Sequence, residues 1–190
     1  MRLPAWIEGD GFVLRRWTMA DAEAMQQAVD EAVEHLRPWV RWVDEEPSTV
    51  EGRRELIAEW DRLREAGGGT YFGIHVGGRI AGGCGAQPRG GGVVEIGFWL
   101  RPAFLGQGLA TRAAGLLTET ALAHPKVAAV EIRHDRANAA SRAVAVRLGF
   151  KYAGEAPNPA PAPADEGVDL VWRRERAPRV SPAAPAAARA

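Results

Sequence analysis

Leu105-Gly106-Gln107-Gly108-Leu109-Ala110-Thr111 joins a strand-like run to a helix-like one. Glycines at such a junction let backbone N–H groups face an anion with no Cβ in the way. The first N–H groups of a helix lack internal acceptors and carry the positive end of its dipole. A diphosphate placed there gains about 0.3–1 kcal/mol from the dipole, and up to about 2 kcal/mol if partly buried. The spacing is not the Gly-x-x-x-x-Gly-Lys-Ser/Thr of nucleoside triphosphatases. It ends in Thr111 where a dinucleotide fingerprint has glycine, and it follows several earlier strands, so a dinucleotide site is a poor fit. An ordinary turn with no ligand satisfies the same spacing.

Glu95 lies in the run Val93 to Leu100. Strand alternation puts Val93, Glu95, Gly97 and Trp99 on one face and Val94, Ile96, Phe98 and Leu100 on the other. A lone carboxylate among apolar residues is raised by desolvation toward a value useful to a general base. A Glu on a partly wet face is the plain alternative. Asn138 is a good helix N-cap, and Ser141 sits in the first turn behind it. His35, His75, His124 and His134 have no ligand spacing, so no metal site is expected. Cys84, the single cysteine, reads as a small buried hydrophobe rather than a nucleophile. With one cysteine no disulfide can form within the chain, and a reducing, cytoplasmic setting is expected.

These residues need elements to hold them. Phe12 to Trp17 reads as a strand, and Thr18 with Asp21 as the cap of a helix to about Val33, with Pro38 breaking the segment behind it. Ser48 with Glu51 caps a second helix that stops at Gly67-Gly68-Gly69. Strands Thr70 to Val76 and Arg79 to Ala86 flank Gly77-Gly78, a two-residue hairpin signal. A glycine-rich loop, Arg89 to Gly92, leads into the strand Val93 to Leu100. A helix from Leu109 to Ala123, a buried strand Val127 to Arg133, and a helix from Asn138 to Leu148-Gly149 follow. Phe150 to Gly154 and Val168 to Arg174 close the set. The fold class expected is α/β: a mixed, mostly antiparallel sheet of six to seven strands with helices on both faces.

The chain has 190 residues and suits a single domain over residues 1–176, with a Pro/Ala-rich tail at 177–190 expected to be disordered. The formal net charge is zero, which gives no support to nucleic-acid binding. No run is apolar enough to span a membrane, and Met1 to Gly11 does not read as a signal peptide. Seven tryptophans are many for this length.

Together, Gly106-Gln107-Gly108-Leu109-Ala110-Thr111, Val94 to Leu100 before it, and Asn138-Ala139-Ala140-Ser141 with Arg147-Leu148-Gly149-Phe150 after it resemble the GNAT superfamily of N-acetyltransferases. Within it they are most similar to the RimJ/RimL type that acts on ribosomal proteins. The likeness spans about Phe12 to Tyr152. It implies that acetyl-CoA is the co-substrate, with no metal, and that an acetyl group passes directly to a primary amine. The superfamily loop reads Arg/Gln-x-x-Gly-x-Gly/Ala, so Leu105, Gly108 and Ala110 take the first, fourth and sixth places. Leu105 departs from the polar first place, a change that backbone-mediated phosphate binding tolerates.

The resemblance extends the cofactor set to Phe98, Trp99, Leu100, Leu105, Gly106, Gln107, Gly108, Leu109, Ala110, Thr111, Asn138 and Ser141, with Arg112 as a further side-chain contact. Glu95 takes the place of an acidic base that acts through a water. Ser141 takes the place of a donor to the departing sulfur. The tyrosine that many members use as acid is replaced by Ala145. Arg37, Trp39 and Trp42 fall in the segment that roofs the acceptor cleft, although core packing of the rings is the bland alternative. The acceptor implied is a protein N-terminal α-amine. Acylation of a small amine, use of succinyl-CoA, and a non-catalytic CoA-binding protein remain alternatives. Monomer and homodimer both fit.

Overall fold

A computed structural model describes residues 1–177. The stretch 178–190, nearly all of the expected tail, lies outside the described residues. The strands are β1 (Trp6–Gly9), β2 (Phe12–Arg16), β3 (Thr70–Val76), β4 (Arg79–Gly90), β5 (Val93–Leu100), β6 (Ala129–Asp135), β7 (Lys151–Pro157) and β8 (Val168–Glu175). The helices are α1 (Ala22–Asp30), α2 (Val33–Leu36), α3 (Trp42–Glu45), α4 (Val50–Glu65), α5 (Leu109–Ala123) and α6 (Ala139–Arg147). Among the described residues no helix is long and apolar enough to cross a membrane.

Among the described residues one sheet of eight strands runs β1-β2-β3-β4-β5-β6-β8-β7, and only the β5–β6 pair is parallel. The mixed α/β class is as expected. The extra strand is β1, too short and too polar (Trp-Ile-Glu-Gly) to signal itself, which forms because it pairs with β2 from Trp6↔Arg15 to Gly9↔Phe12. Gly77 and Gly78 both have positive φ, as a tight hairpin turn requires. The capping of α4 differs from expectation. Thr49, not Ser48, holds the extended conformation, and its Oγ1 accepts the Gly52 N–H at 3.1 Å. At the other cap the Asp21 carboxylate accepts the Thr18 N–H at 2.8 Å.

The alternation of β5 sorts the two faces. Val94, Ile96 and Leu100 are buried with Leu14, Phe72, Ile74, Leu109, Ala113 and Leu117 in the main core, under α5. The other face carries Tyr71 and Trp99, packed with Trp17, Met25 and Ile57 from the α1–α4 side. Each face thus buries its own apolar set, as a sheet covered on both sides must.

One irregularity positions the site. β5 pairs with β4 along its whole length, from Leu100↔Gly82 to Val93↔Gly90. It meets β6 only at Val93↔Ala129, Val94↔Val130 and Glu95↔Glu131. Beyond that point β6 stays with β8, through to Asp135↔Asp169. The two parallel strands therefore splay after Glu95, leaving the β5 edge from Ile96 onward without a strand partner. Open α/β sheets bind ligands at the carboxyl ends of such strands.

Candidate active site

The splay opens into a cleft of about 440 Å³. Its lining comes from both faces of the sheet. Trp39, Trp42, Glu46, Tyr71 and Glu95 stand on the α1–α4 side; Phe98, Asn138 and Ser141 stand on the α5–α6 side. The cleft therefore passes through the sheet, and two molecules can meet there from opposite faces.

On the far side, α5 begins at Gly108, whose φ of 71° leaves it left-handed, and Gly106 has a φ of 73°. No side chain caps this helix. The Arg112 N–H is the first to find a carbonyl, that of Gly108 at 3.1 Å, so the Leu109, Ala110 and Thr111 N–H groups have no acceptor within the helix. This is the arrangement expected of a diphosphate cradle. Of the side chains expected to help it, Thr111 and Arg112, the second turns away, as does neighbouring Gln107. Gln107 Nε2 donates to the Ala103 carbonyl at 3.1 Å, and Arg112 donates to the Asp10 carbonyl at 2.6 Å with its head over the Phe12 ring. Apart from the Thr111 hydroxyl, the contribution of the turn is left to backbone groups. Leu105 is exposed, whereas Leu109 is packed in the core.

Asn138 caps α6: its Oδ1 accepts the Ser141 N–H at 3.0 Å. This bond uses the serine backbone, so the Ser141 hydroxyl is free to face the cleft it lines. Ala145, in the place of the missing tyrosine, is fully buried and does not line the cleft.

The expectations for β5 need correction. Glu95 is not surrounded by apolar residues. Its Oε2 is held by Arg89 at 3.0 Å and Arg133 at 3.4 Å, and Arg133 also reaches Glu131 at 2.9 Å. The alternation along β5 is as read. The guanidiniums come from the neighbouring strands β4 and β6, which one strand's alternation cannot reveal. Among the described residues no partner engages Oε1, so one oxygen remains for a water. Leu100 lies in the core, and the Trp99 ring lies on the α1–α4 face against Trp42, with centroids 5.8 Å apart. The Trp99 ring thus lies away from the α5–α6 side, and the Leu100 side chain is buried beneath α5 and does not line the cleft. Arg37 does not line the cleft; its guanidinium is bound to Glu34 at 2.6 Å and Asp44 at 3.1 Å. Trp39 and Trp42 do line it.

Asp135 was not singled out from sequence and is a keystone. Its carboxylate is buried and accepts four backbone N–H groups: Ala137 at 2.8 Å, Glu166 and Gly167 at 3.0 Å each, and Val168 at 3.2 Å. Burial disfavours its charge, but these N–H groups outweigh it and hold the carboxyl below its ordinary value. The held loop returns to the roof, where the Ala164 N–H donates to the Pro38 carbonyl at 2.9 Å. Beside it, the Trp172 indole N–H donates to His134 Nε2 at 2.9 Å. An indole N–H can only donate, so Nε2 accepts and Nδ1 carries the hydrogen toward the Asp135 carbonyl, 2.7 Å away. Burial pushes the Cys84 thiol well above its ordinary value, which suits an inert hydrophobe. Among the described residues no group of three or more His, Cys, Asp or Glu is placed to hold a metal ion.

Comparison with known proteins gives the following. A family model described as "Acetyltransferase (GNAT) domain" matches residues 12–151. No curated protein matches the sequence. Among solved structures, a RimL ribosomal L7/L12 alpha-N-protein acetyltransferase in complex with coenzyme A is 20% identical, with 91% of this chain and 97% of that chain covered and a TM-score of 0.81. The microcin C7 self-immunity acetyltransferase MccE, in complex with acetyl-CoA and AMP, is 17% identical over 88% of this chain and 93% of its own, with a TM-score of 0.80. RimJ of Mycobacterium smegmatis, in complex with CoA-disulfide, is 21% identical over 92% and 84%, with a TM-score of 0.77. At these identities the structures establish a shared fold.

Proposed function

The chain belongs to the GNAT acetyltransferase family, and from that premise we propose that it acetylates the α-amine of a protein N-terminus. As a member it is an acyl-CoA-dependent N-acetyltransferase and uses acetyl-CoA. The observation that carries the finer reading is the cleft through the sheet, lined from both faces where β5 leaves β6. The donor enters from the α5–α6 side with its diphosphate on the Leu109, Ala110 and Thr111 N–H groups, and its arm runs along the unpaired edge of β5 past Asn138. The acceptor enters from the other side, beneath Trp39 and Trp42. The N-terminal acceptor is supported by the likeness to structures described as ribosomal-protein acetyltransferases.

Energetics agree with that choice. Deprotonation at pH 7 costs about 1.4 kcal/mol for an α-ammonium and about 4.6 kcal/mol for a lysine. The weaker demand suits Glu95, which acts through a water on its unengaged Oε1. The amine nitrogen attacks the thioester carbonyl and the C–S bond breaks. The second amine proton ends on sulfur, which receives a hydrogen bond from the Ser141 hydroxyl as it leaves.

The first test is the melting temperature with acetyl-CoA and with desulfo-CoA. A ligand at a hundred times its Kd stabilises the native state by about 2.7 kcal/mol. A shift with both ligands is the expected result, followed by CoA release with N-terminal peptides in preference to small amines. The absence of any shift at millimolar ligand would sink the reading. A shift without turnover on any amine would instead mark a CoA-binding protein.

A further inference from the structure

Five of the seven tryptophans (Trp17, Trp39, Trp42, Trp60 and Trp99) line the one cleft through the sheet, and Tyr71 adds a sixth ring. Trp60 stacks on Tyr71 with centroids 4.4 Å apart, and Trp42 packs on Trp99. Trp17, Trp60, Tyr71 and Trp99 serve the α1–α4 core as well as the cleft, and Trp39 and Trp42 join them from the roof. Two carboxylates share the α1–α4 side of the cleft with these rings, Glu95 and Glu46.

Glu46 is held in place from behind. Its Oε2 takes an N–H of Arg53, a guanidinium only 1% exposed. Arg53 also donates to Gln26 Oε1 at 2.9 Å, and Gln26 donates on to Asp30 at 2.7 Å. The geometry of Glu46 is therefore fixed by a buried chain of partners. Among the described residues nothing engages Oε1, and the side chain stays 23% exposed at the cleft. Burial raises the carboxyl above its ordinary value, and Arg53 only partly offsets this. A desolvated carboxylate with one oxygen unpaired gains when a cation arrives, and rings lining the same cleft can add cation–π attraction. The other carboxylates of the cleft are more fully compensated: Glu95 keeps Oε1 open but has two guanidiniums on Oε2. Glu95 and Arg133 pair with each other, and Asp135 is bound by backbone N–H groups.

We propose that Glu46, which shares the cleft with the tryptophan rings, is the residue that binds the acceptor's ammonium and so selects the acceptor. This rests on the acyltransfer reading above and adds a residue that selects the acceptor. Its work is done in binding, and the Glu95 side removes the proton afterwards.

The test uses the full chain with an N-terminal peptide acceptor. Glu46→Gln is expected to raise the acceptor KM about tenfold or more, leave kcat within about threefold, and leave acetyl-CoA affinity unchanged. Because the variant leaves a buried guanidinium facing an amide, the parent protein carries a second test. Two unreactive peptides, one ending in a trimethylammonium group and one in its uncharged tert-butyl isostere, compete with the acceptor. The cationic peptide is expected to inhibit about tenfold more tightly. Equal inhibition by the two, or an unchanged KM in a folded Glu46→Gln, overturns the proposal while acetyl-CoA binding and turnover by the parent stand. Loss of acetyl-CoA binding by the parent itself would remove the underlying reading as well.

Discussion

Asp135→Asn replaces one oxygen of the keystone carboxylate with an amide NH2. The carboxylate accepts two backbone N–H groups on each oxygen, from Ala137 and Glu166 on Oδ1 and from Gly167 and Val168 on Oδ2. An asparagine serves one pair and points donors at the other pair. Each unsatisfied buried donor costs about 1–3 kcal/mol, so the loss is about 2–6 kcal/mol. For a domain of this size one kcal/mol lowers Tm by about 2–4 °C, which puts the fall at about 4 °C at the least and above 20 °C at the most. The pH dependence has a definite sign. Because the folded carboxyl lies below its ordinary value of 3.8, its contribution is complete above that value and is lost as pH falls through it toward the folded one. The gap in Tm between parent and variant should therefore be widest near neutrality and close as the medium is acidified. The effect reaches the site as well. The loop that Asp135 holds donates through Ala164 to Pro38, next to Trp39 in the roof, so the acceptor KM should rise in the folded variant. Calorimetric melting across a pH series tests the argument. A variant that melts within about 1 °C of the parent at neutral pH would refute it, as would a gap independent of pH.

Three further outcomes are expected. Gly108→Ala places a Cβ in open space, so its cost is the positive φ alone, about 1–2 kcal/mol; titration calorimetry should show acetyl-CoA binding weakened about tenfold, and an unchanged Kd would remove the cradle. Ser141→Ala keeps the Asn138 cap, which uses the backbone N–H, so Tm should hold while kcat falls about tenfold; an unchanged kcat would leave the hydroxyl without a role. Gly97→Leu puts a side chain where an added Cβ meets nothing within 4 Å; the fold and CoA binding should survive while kcat/KM for the acceptor drops about tenfold or more, and a fully active variant would move the acceptor elsewhere.

Much of the framework was legible because local chemistry decides it. Val93–Leu100 and Leu109–Ala123 are bounded as their alternation, glycines and helical spacing require. Gly149 closes α6 with a φ of 73°. What could not be read depends on partners distant in sequence. β1 exists through its pairing with β2, and β4 runs on to Gly90 because β5 continues to pair with it. The splay is a pairing that stops, and no residue announces it. Arg89 and Arg133 reach Glu95 from two other strands. Glu46 stood out in the sequence only as one of the acidic cluster Asp44-Glu45-Glu46 near the roof, a hint of a basic acceptor; its partner Arg53, seven residues on in a helix, is what singles it out.

The glycines of β4 tie these levels together. Gly82-Gly83-Cys84-Gly85 is poor strand sequence, since glycine weakens a strand interior. It is nevertheless paired on both sides, with Ile74 to Tyr71 on one edge and Leu100 to Gly97 on the other. The side chains missing at Gly83 and Gly85 face the α1–α4 side. A Cβ on Gly85 would stand 2.7 Å from Tyr71 Cδ1, and one on Gly83 would stand 2.6 Å from Trp99 Nε1. Both rings can lie down on the sheet only because those carbons are absent. Gly97, opposite Gly85, extends the bare row to the edge where β6 has left. The strand thus gives up propensity at three places and regains it through pairing. The space gained becomes an aromatic floor reaching the point where donor and acceptor are proposed to meet. A glycine run that weakens a central strand therefore marks the place where another ring must come close, and here that place is the acceptor side of the cleft.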